Sequence, residues 1–490
     1  MRQSKEFDLI IHGATGFTGR HATRELAKLQ PAGVKWAISG RDPVRLKEMA
    51  DEFGCEFFVA DSFDDTQLTS LAQSARVIVS CVGPFAVYGE KLVEACIKNK
   101  CHYADITGES HWIDKMMAQY NEQAIANQVC LIPASGFDSV PSSLGAQEYL
   151  RLVAMDGRTP TSFGNYYCMR GGLNGGTLAT WLQMSKEKIK PRPLVQSGVF
   201  KVPALGLTAT EFVMAPVNER VVSFDCEATY HEHIIVPNRF IGHLVKATFS
   251  LIDLFIKTKL GRWVVKSLGP KSGQGPSKKI VADGYVKHTL IEDGVEDSPQ
   301  LTFVWQGDPG NTVTVRCLIH TGIALACGEM NKFGFTTPAA GLGDSLLHRL
   351  IAADACALTY KPDWVQIYNA GEYHYDSDAA ANTVTLITAS NPNSVEMPED
   401  VNSDANERLE AELKVRGLRY GSSYGCNKPG DLPEWREDGF AVYDLSVDEA
   451  YDLGAKWGQR AVVYYEGAKR LMLFCHARRA HSPQTGFLRD

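Results

Sequence analysis

Short apolar runs alternate with amphipathic segments along the first 142 residues of the chain. Each run ends in a turn, and apolar residues then recur every three or four positions, which is how strand-turn-helix units read in sequence. The predicted strands are Asp8–His12, Trp36–Ser39, Glu56–Val59, Val77–Ser80, His102–Asp105 and Val129–Pro133. The predicted helices are Gly19–Leu29, Pro43–Phe53, Thr66–Gln73, Gly89–Asn99 and Trp112–Asn127. The alternation predicts an α/β fold for residues 1–142, a doubly wound parallel sheet covered by helices.

A different pattern begins after Ser142, where strand-like runs become longer and are separated by Gly and Pro. It predicts an α+β substrate domain over residues 143–360, with a largely antiparallel sheet and a C-terminal return segment. Its predicted elements are strands at Thr161–Met169, Val221–Tyr230 and Leu301–Val304 and a closing helix at Phe335–Leu350. A small third α+β domain is predicted over residues 361–490. Its elements are helices at Ala405–Arg416 and Val447–Trp457 and strands at Phe440–Leu445 and Ala461–Tyr465.

A glycine-rich turn, Gly13-Ala14-Thr15-Gly16-Phe17-Thr18-Gly19, follows the first predicted strand and opens the first predicted helix. Glycine permits the tight turn at Gly13, close backbone approach to a pyrophosphate at Gly16, and helix packing at Gly19. Unpaired N–H groups at a helix start bind phosphate oxygens. This context predicts a Rossmann dinucleotide-binding domain; a glycine-rich turn without a ligand is the alternative. The expected diphosphate-binding residues are Gly13, Thr15, Gly16, Phe17, Thr18 and Gly19.

The end of the second predicted strand decides which nicotinamide cofactor is preferred. NAD enzymes place a carboxylate there to accept the ribose hydroxyls, but this chain has Arg41, whose guanidinium pairs with a 2′-phosphate. NADP is therefore predicted, although Arg41 as an ordinary solvated arginine is the alternative. Asp61 is expected either to accept from the adenine amino group or to cap the next helix. The remaining expected cofactor-binding residues are Ser39, Gly40, Arg41, Asp61, Cys81, Val82, Gly83, Pro84 and Ser135.

Several motifs after predicted strands make residues 5 to about 358 resemble the saccharopine dehydrogenase-like oxidoreductases. The motifs are Gly83-Pro84-Phe85, Asp105-Ile106-Thr107-Gly108-Glu109, Ser135-Gly136-Phe137-Asp138-Ser139-Val140-Pro141, Gly275-Pro276-Ser277 and Phe335-Thr336-Thr337-Pro338. They look closer to the trans-acting enoyl reductases of mycobacterial glycolipid synthesis than to true saccharopine dehydrogenases. The resemblance implies reduction at the nicotinamide face, in the enoyl-reductase branch of a polyketide-derived double bond. The C-terminal residues resemble an uncharacterised bacterial domain, at Ile387–Pro392 and Gly454–Gln459.

A reductase of this kind needs a group that supplies a proton to the substrate. Tyr88 and Asp138 are the leading candidates, because both follow predicted strands on the cofactor side. Asp105, Glu109 and Ser135 are further candidates. The alternative for Asp105 and Asp138 is a structural role, capping a helix or holding the loop that supports the nicotinamide. The glycine-rich stretch at 171–177 is expected either to approach the substrate or to be a mobile loop.

No metal site is expected. His231 and His233 would lie on one face of a strand, as a pair of ligands would, but no third ligand is evident and a solvated strand face is favoured. Twelve cysteines occur without a C-x-x-C pair, which fits reduced thiols inside a cell.

The segment from Phe240 to Val265 combines apolar residues with lysines and an arginine and predicts a basic amphipathic helix of about 25 residues. It is expected either to pack on the protein core or to make peripheral membrane contact through residues 240–265. No secretory signal and no membrane-spanning stretch is predicted, so a cytoplasmic location is expected, with the inner membrane face as the second expectation. The net charge of −7 is spread along the chain, so no nucleic-acid partner is expected.

The sequence therefore predicts an NADP-dependent oxidoreductase that reduces an enoyl or carbonyl group of a small hydrophobic, lipid- or polyketide-like substrate, with a homodimer as the expected assembly. One alternative is a non-catalytic NADP-binding scaffold or sensor. Another is a saccharopine-type amino acid dehydrogenase, which would need clustered arginines for its carboxylates. Arg170, Arg192 and Arg220 are too dispersed to support it.

Overall fold

The computed structural model describes most of the chain. The described residues are 5–155, 158–172, 175–186, 193–269, 275–295, 298–361, 372–378, 380–390, 398–426, 436–459, 461–467, 469–474, 479–482 and 487–489. They form two compact units. The first comprises Met1–Gln147, Thr161–Ser298 and Thr302–Ala357, and the second comprises Glu148–Pro160, Pro299–Leu301 and Leu358–Asp490.

The N-terminal part of the chain has the predicted alternation of strands and helices. Its elements are β1 (Phe7–His12), α1 (Phe17–Leu29), β2 (Trp36–Gly40), α2 (Pro43–Phe53), β3 (Glu56–Val59), α3 (Asp65–Ser74), β4 (Ala75–Ser80), α4 (Phe85–Tyr88), α5 (Glu90–Lys98), β5 (His102–Asp105), α6 (Ser110–Ala126), β6 (Cys130–Ile132) and α7 (Val140–Met155). All six predicted strands and all five predicted helices are present, with ends within two residues of the prediction.

The middle of the chain mixes strands, helices and short turns. Its elements are β7 (Ser162–Arg170), α8 (Gly175–Lys186), β8 (Phe200–Val202), β9 (Leu207–Glu211), α9 (Ala215–Val222), β10 (Thr229–Val236), α10 (Arg239–Ile256), α11 (Lys259–Leu268), α12 (Lys278–Ala282), β11 (Tyr285–Glu292), β12 (Gln300–Gln306), α13 (Thr314–Cys327), β13 (Gly334–Phe335), α14 (Pro338–Gly341), α15 (Asp344–Ala352) and β14 (Cys356–Lys361).

The first sheet is parallel and has the strand order β13-β6-β5-β4-β1-β2-β3. Leu9, Ile10 and Ile11 in β1 have no exposed surface, because helices cover both faces of the sheet. The predicted α/β class is therefore confirmed. Since carboxyl ends of parallel strands share one edge, the loops that follow β1 to β6 converge there.

The return segment completes this sheet in a way that the sequence did not reveal. Helix α13 packs on it through Gly322, where a Cβ would lie 2.7 Å from Cγ1 of Val79 and 3.0 Å from Cδ1 of Leu9. Strand β13 then adds to β6, with the Gly334 N–H donating to the Val129 carbonyl at 2.8 Å. The predicted helix over 335–350 is correct only in part: Phe335 is in β13, and the rest forms two helices, a short one that begins at Pro338 and a second one from Asp344 to Ala352.

The second sheet has the order β14-β12-β11-β7-β10-β9-β8, with β7 and β10 parallel and both β7–β11 and β9–β10 antiparallel. The predicted strand at Val221–Tyr230 is largely wrong. Val221 and Val222 end α9, where both are buried, and β10 starts only at Thr229. Packing into the core has outweighed the β-propensity of valine.

The predicted amphipathic helix is two helices, α10 and α11, separated at Lys257 and Thr258. The Thr258 hydroxyl accepts from the Gly261 N–H at 2.9 Å and caps α11. In the part of the chain that the structure describes, no helix combines the length and apolarity needed to cross a membrane.

The C-terminal residues form a third sheet, with helices packed on it. Its elements are β15 (Glu372–Tyr375), β16 (Thr383–Ile387), α16 (Glu399–Val415), β17 (Tyr420–Cys426), β18 (Arg436–Tyr443), α17 (Val447–Lys456), β19 (Ala461–Glu466), β20 (Lys469–Phe474), β21 (Arg479–Ser482) and β22 (Phe487–Arg489). The strand order is β15-β17-β18-β16-β19-β20-β21-β22, and neighbouring strands are antiparallel. Leu409, Leu413 and Leu453 lie in its core. The predicted small α+β domain is confirmed.

Candidate functional site

The turn between β1 and α1 has the backbone geometry of a phosphate-binding loop. Gly13 has a φ of +84°, and a Cβ there would lie 2.5 Å from Cγ2 of Val82. A Cβ on Gly19 would lie 2.1 Å from the Gly13 carbonyl oxygen, so both positions require glycine. Among the described residues no side chain caps α1, which begins at Phe17. Its first N–H groups are therefore left for a ligand such as a diphosphate.

Neighbouring strands hold this turn in place. The N–H groups of Gly13 and Ala14 donate to the Ser39 carbonyl oxygen at 2.8 and 2.9 Å, and the Cys81 N–H donates to the His12 carbonyl at 2.9 Å. The structure thus brings the predicted cofactor residues after β1, β2 and β4 together. The Ser39 side chain is buried against the ring of His12, with Oγ and Nδ1 3.2 Å apart, so it supports the turn from below.

The end of β2 presents a positive charge. Arg41 is exposed and makes no ion pair or hydrogen bond with the residues that the structure describes. The neighbouring carboxylate of Asp42 accepts from the N–H groups of Val44 and Arg45 at 3.1 and 3.2 Å and caps α2. The guanidinium is therefore available to a 2′-phosphate, while the adjacent acidic group is already bonded.

Asp61 lies in the loop after β3. Its Oδ1 accepts from the Phe63 N–H at 2.9 Å, and its N–H donates to Gln67 Oε1 at 2.9 Å. The N-cap of α3 is Asp64, so the alternative role of Asp61 as the helix cap is wrong. Gly40 adjoins this loop, because its carbonyl accepts from the Ala60 N–H at 2.8 Å.

Two buried carboxylates tie together the loops after β4, β5 and β6. Glu109 accepts from the N–H groups of Phe85 and Ala86 at 2.7 and 3.0 Å. Asp105 accepts from the N–H groups of Thr107 and Ala134 at 2.9 and 3.1 Å. Burial raises the pKa of Asp105 to about 7, and these hydrogen bonds oppose that rise. These hydrogen bonds favour the structural alternative for Asp105, in which it holds the loop.

These carboxylates also fix the loop from Gly83 and Pro84 onwards and the loop that contains Ser135. The Ser135 N–H donates to the Asp105 carbonyl at 2.6 Å, and its hydroxyl donates to the Ile132 carbonyl at 2.8 Å. Ser135 is fully buried. Its side chain therefore shapes the loop that leads to Asp138. Burial likewise raises the pKa of the Cys81 thiol, to about 12.

Asp138 presents a carboxyl group of a different kind. It is partly exposed, and none of the described residues donates a hydrogen bond to it. Burial raises its pKa to about 6. A Cβ on Gly108 would lie 3.3 Å from Asp138 Oδ2 and 3.7 Å from Met214 Cε. Gly108, which has no side chain, thus lies next to the carboxyl group of Asp138. That group carries its proton more readily than an ordinary carboxyl group does.

The structure does not bring Tyr88 and Asp138 together. Tyr88, at the end of α4, packs its ring on Phe63, with ring centroids 5.4 Å apart. Phe63 follows β3, whereas Asp138 follows β6, and four strands separate β3 from β6 in the sheet. Tyr88 therefore lies toward the β3 edge of the sheet, whereas Asp138 lies toward the opposite edge, near β6.

Sequence reasoning misjudged the segment His231-Glu232-His233, whose favoured interpretation was a solvated strand face. All three residues are buried in β10. The two imidazoles do lie on one face, with His233 Nε2 3.0 Å from His231 Nδ1, and His231 Nε2 lies 2.8 Å from Oδ2 of Asp293. The solvated reading fails because helices cover the sheet here, which alternation within a single strand cannot show.

Glu232 is the centre of a buried hydrogen-bond network. Asn218 Nδ2 donates to its Oε2 at 2.8 Å, and the Tyr230 hydroxyl donates to Oε1. Asn218 Oδ1 in turn accepts from the hydroxyl of Ser139, the residue after Asp138, at 3.2 Å. Burial raises the pKa of Glu232 to about 7. The network connects the start of α7 with β10, and its members are too far apart in sequence to be associated without the fold.

The described part of the glycine-rich stretch at 171–177 is held in place. The Gly172 N–H donates to Asp308 Oδ2 at 2.7 Å, and a Cβ on Gly171 would lie 2.4 Å from Cδ of Pro309. Leu173 and Asn174 lie outside the described residues. Gly275 packs against Phe17 at the start of α1, since a Cβ on Gly275 would lie 2.1 Å from Cζ of Phe17.

The parallel sheet with a glycine turn after β1 is the architecture of a nicotinamide dinucleotide-binding oxidoreductase. Residues 9–132 match the family described as "Saccharopine dehydrogenase NADP binding domain". These residues are therefore similar to the NADP-binding domain of saccharopine dehydrogenases, and the resemblance inferred from the sequence is confirmed. Residues 387–462 match DUF3293, a family described as a protein of unknown function.

Relatives match about 71% of the chain. The chain is 29% identical over 405 residues to a Mycobacterium tuberculosis protein whose name gives it as a candidate trans-acting enoyl reductase, covering 71% of this chain and 96% of that one. It is 24% identical over 413 residues to the "Lipid droplet localized protein" of Caenorhabditis elegans, with the same coverages. Among solved structures, apo saccharopine dehydrogenase of Saccharomyces cerevisiae matches 72% of this chain and 99% of its own, with a TM-score of 0.48 and 12% identity.

Proposed function

We propose that this protein is an NADP-dependent reductase that transfers hydride from NADPH to an enoyl or carbonyl group of a hydrophobic, lipid- or polyketide-like substrate. The match to an NADP-binding domain and the names of the relatives support the oxidoreductase class. The observation that carries the finer proposal is the carboxyl group of Asp138, which is partly exposed, has no hydrogen-bond donor among the described residues and lies close to Gly108.

The residues of this chain fit NADPH at two points. The N–H groups at the start of α1 bind the diphosphate, and the Arg41 guanidinium pairs with the 2′-phosphate. When bound, NADPH supplies a hydride to an electrophilic carbon of the substrate. Asp105 and Glu109 hold the loops after β4, β5 and β6, so they position the residues that face the reacting atoms without themselves touching them.

Asp138 supplies the proton that balances the hydride. Hydride addition to one end of a carbon–carbon or carbon–oxygen double bond leaves negative charge at the other end, and a neutral carboxyl group donates its proton there. A carboxyl group with an ordinary pKa would be almost fully ionised near neutrality. Burial keeps a useful fraction of Asp138 protonated, as a general acid requires.

The surroundings of Asp138 favour an apolar substrate. Met214 lies beside Gly108 and Ile106 lies beside Gly136 in the neighbouring loop, and both side chains are partly exposed. Burial raises the pKa of Asp138, and among the described residues no lysine or arginine makes an ion pair or a hydrogen bond with it. Arg220, one of the arginines considered for an amino acid substrate, is paired with Asp114 at 2.9 Å. A substrate with several carboxylates would lack cations here, which disfavours the saccharopine-type reaction.

The test is oxidation of NADPH followed with a panel of long-chain enoyl and β-keto thioesters. The variant Asp138→Asn should lower kcat about 10²- to 10⁴-fold while leaving the NADPH dissociation constant unchanged, because only proton donation is removed. In the native enzyme kcat/KM should fall as pH rises above about 6, where Asp138 loses its proton, and the variant should lack this fall.

The variant Tyr88→Phe is the matched control, since it removes a hydroxyl from the other candidate donor and should change kcat little. Loss of activity in Tyr88→Phe with activity retained in Asp138→Asn would assign the proton to Tyr88 and refute the role given to Asp138. Tight NADPH binding without turnover on any enoyl or carbonyl compound would refute the reductase and favour the NADP-binding scaffold.

A further inference from the structure

The helices α10 and α11 place apolar side chains on the outside of the first compact unit. Residues 240, 244, 251 and 254 share one face of α10, because they are separated by four, seven and three positions. On that face Phe240 is 76% exposed, Leu251 65% and Leu254 64%. A surface helix normally turns polar residues outward, so this arrangement is inverted. The α10–α11 face is defined by Phe240, Leu244, Leu251, Leu254, Leu260 and Trp263.

The opposite side of α10 is anchored, so its outward face has a fixed direction. A Cβ on Gly242 would lie 2.6 Å from Cγ1 of Val199, and the Ile256 side chain is fully buried. The Ser185 hydroxyl donates to the Ile256 carbonyl at 2.9 Å. Rotating the helix to hide Leu251 and Leu254 would break these contacts. The apolar face is therefore a built feature of the surface.

Helix α11 follows α10 directly, exposes Leu260 and Trp263 as well, and adds positive charge. Arg262 Nη1 donates to the carbonyl groups of Ile256 and Lys257 at 3.1 and 2.9 Å, which fixes α11 against the end of α10. Trp263 is 66% exposed, and Lys259 and Lys266 beside it make no ion pair with the described residues. An indole flanked by lysines is typical of the boundary between lipid chains and headgroups.

The charge of this segment identifies the occupant of the face. Residues 239–268 contain six basic residues and one acidic residue, a formal charge of +5, in a chain whose net charge is −7. A second copy docking through the same face would bring two such charges together, since a two-fold interface pairs identical surfaces. An anionic surface with an apolar layer behind it complements both properties. We infer that the α10–α11 face binds phospholipid bilayers that carry anionic headgroups.

The test is cosedimentation of the full chain with phosphatidylcholine vesicles made with and without phosphatidylglycerol. The native protein should bind the anionic vesicles, and added salt should weaken binding because the lysine contribution is screened. The triple variant Leu251→Gln, Leu254→Gln, Trp263→Gln should lower the partition coefficient about tenfold or more. The double variant Lys259→Gln, Lys266→Gln should lower binding to anionic vesicles about tenfold and leave the weak binding to neutral ones unchanged.

A matched control is the variant Val195→Gln, Val415→Gln, which removes exposed apolar residues elsewhere and should bind vesicles like the native protein. NADPH titration of every variant shows that each is folded, and it separates this inference from the reductase proposal, since vesicle binding needs no turnover. The inference is overturned if the native protein ignores anionic vesicles, or if the triple variant binds them as the control does. It is equally overturned if the native protein is a dimer that the triple variant dissociates, because the face is then a subunit interface.

Discussion

Arg41 and Asp42 stand side by side after β2, and their different partners decide which cofactor this end of the strand favours. The carboxylate of Asp42 accepts hydrogen bonds from backbone N–H groups as the N-cap of α2, whereas the guanidinium of Arg41 has no partner among the described residues. A carboxylate free at this position would repel a 2′-phosphate. The residue type at 41 and 42 was readable from the sequence, but which of the two is available was not.

Replacement of Arg41 should change cofactor preference. The variant Arg41→Gln is expected to raise the dissociation constant of NADPH about 10- to 100-fold and to leave that of NADH nearly unchanged, because it removes charge-assisted hydrogen bonds to one phosphate. Isothermal titration calorimetry with both nucleotides measures this. Arg45→Gln is the control, since Arg45 lies 3.4 Å from Asp42 and is paired with it. Equal losses for NADPH and NADH would contradict the assignment.

Single residues were predictable where their chemistry is local. The glycines at 13 and 19 are required by the geometry of a single turn, so their spacing in the sequence was enough to predict them. Asp105 and Glu109 appeared in the sequence as candidate donors, yet their partners Ala134 and Phe85 lie far along the chain. Only the fold shows that both carboxylates bind backbone N–H groups and thereby position loops.

At the scale of elements, the start of α7 and strand β10 are joined through Glu232, Asn218 and Ser139. A strand with His, Glu and His in a row is expected at a solvated edge, and β10 is instead covered. Glu232 thus lies in the hydrogen-bond network on one face of β10, and His231 and His233 lie against each other on the opposite face. Periodicity identifies which residues share a face, but it does not reveal what covers that face.

The buried Glu232 should make stability depend on pH. Its folded pKa of about 7 lies above the usual value of 4.5, so its protonated form is favoured by folding and the associated stability is lost as pH rises from about 4.5 to about 7. The variant Glu232→Gln, which cannot ionise, should escape this loss. Its free energy of unfolding relative to the native protein should increase by up to about 3 kcal/mol between these limits.

Urea unfolding of both proteins at several pH values gives this difference directly. Glu219→Gln is a useful comparison, because burial also raises the pKa of Glu219 while the backbone N–H groups of Val195 and Glu232, which donate to its carboxylate, oppose that rise. A constant difference between Glu232→Gln and the native protein across the range would show that Glu232 does not titrate as stated.

For the whole molecule, the six strands and five of the seven helices of the N-terminal part could be predicted because each is encoded by a short local pattern. The contribution of α13 and β13 to the first sheet could not be predicted, since both follow strands β7 to β12 of the second sheet in the sequence. Nothing within Gly334 and Phe335 distinguishes a two-residue strand from a loop. Whether two such residues form a strand depends on the unpaired strand edge that they meet in the fold, which here is the edge of β6.

Binding of NADPH should leave a localised trace in hydrogen exchange measured by mass spectrometry. Protection is expected at residues 13–20, 39–42 and 81–86, where backbone groups line the cofactor site, and not at residues 440–443 or 461–466 of the third sheet. The variant Leu409→Ala, which opens a cavity in the C-terminal core, should speed exchange there by costing about 2–5 kcal/mol. It should keep the protection at 13–20. NADPH protection centred on the third sheet would place the nucleotide site elsewhere.

Because strand β13 and helix α13 lie late in the sequence, the first sheet cannot be completed when its first six strands have been synthesised. A ribosome that has produced only the first 147 residues has released a sheet whose β6 edge is unpaired and whose surface at Leu9 and Val79 lacks its covering helix. The nascent chain must protect that surface until translation passes residue 335. The first sheet is thus completed only after strands β7 to β12 of the second sheet have been synthesised, and an N-terminal fragment of the chain exposes apolar surface until then.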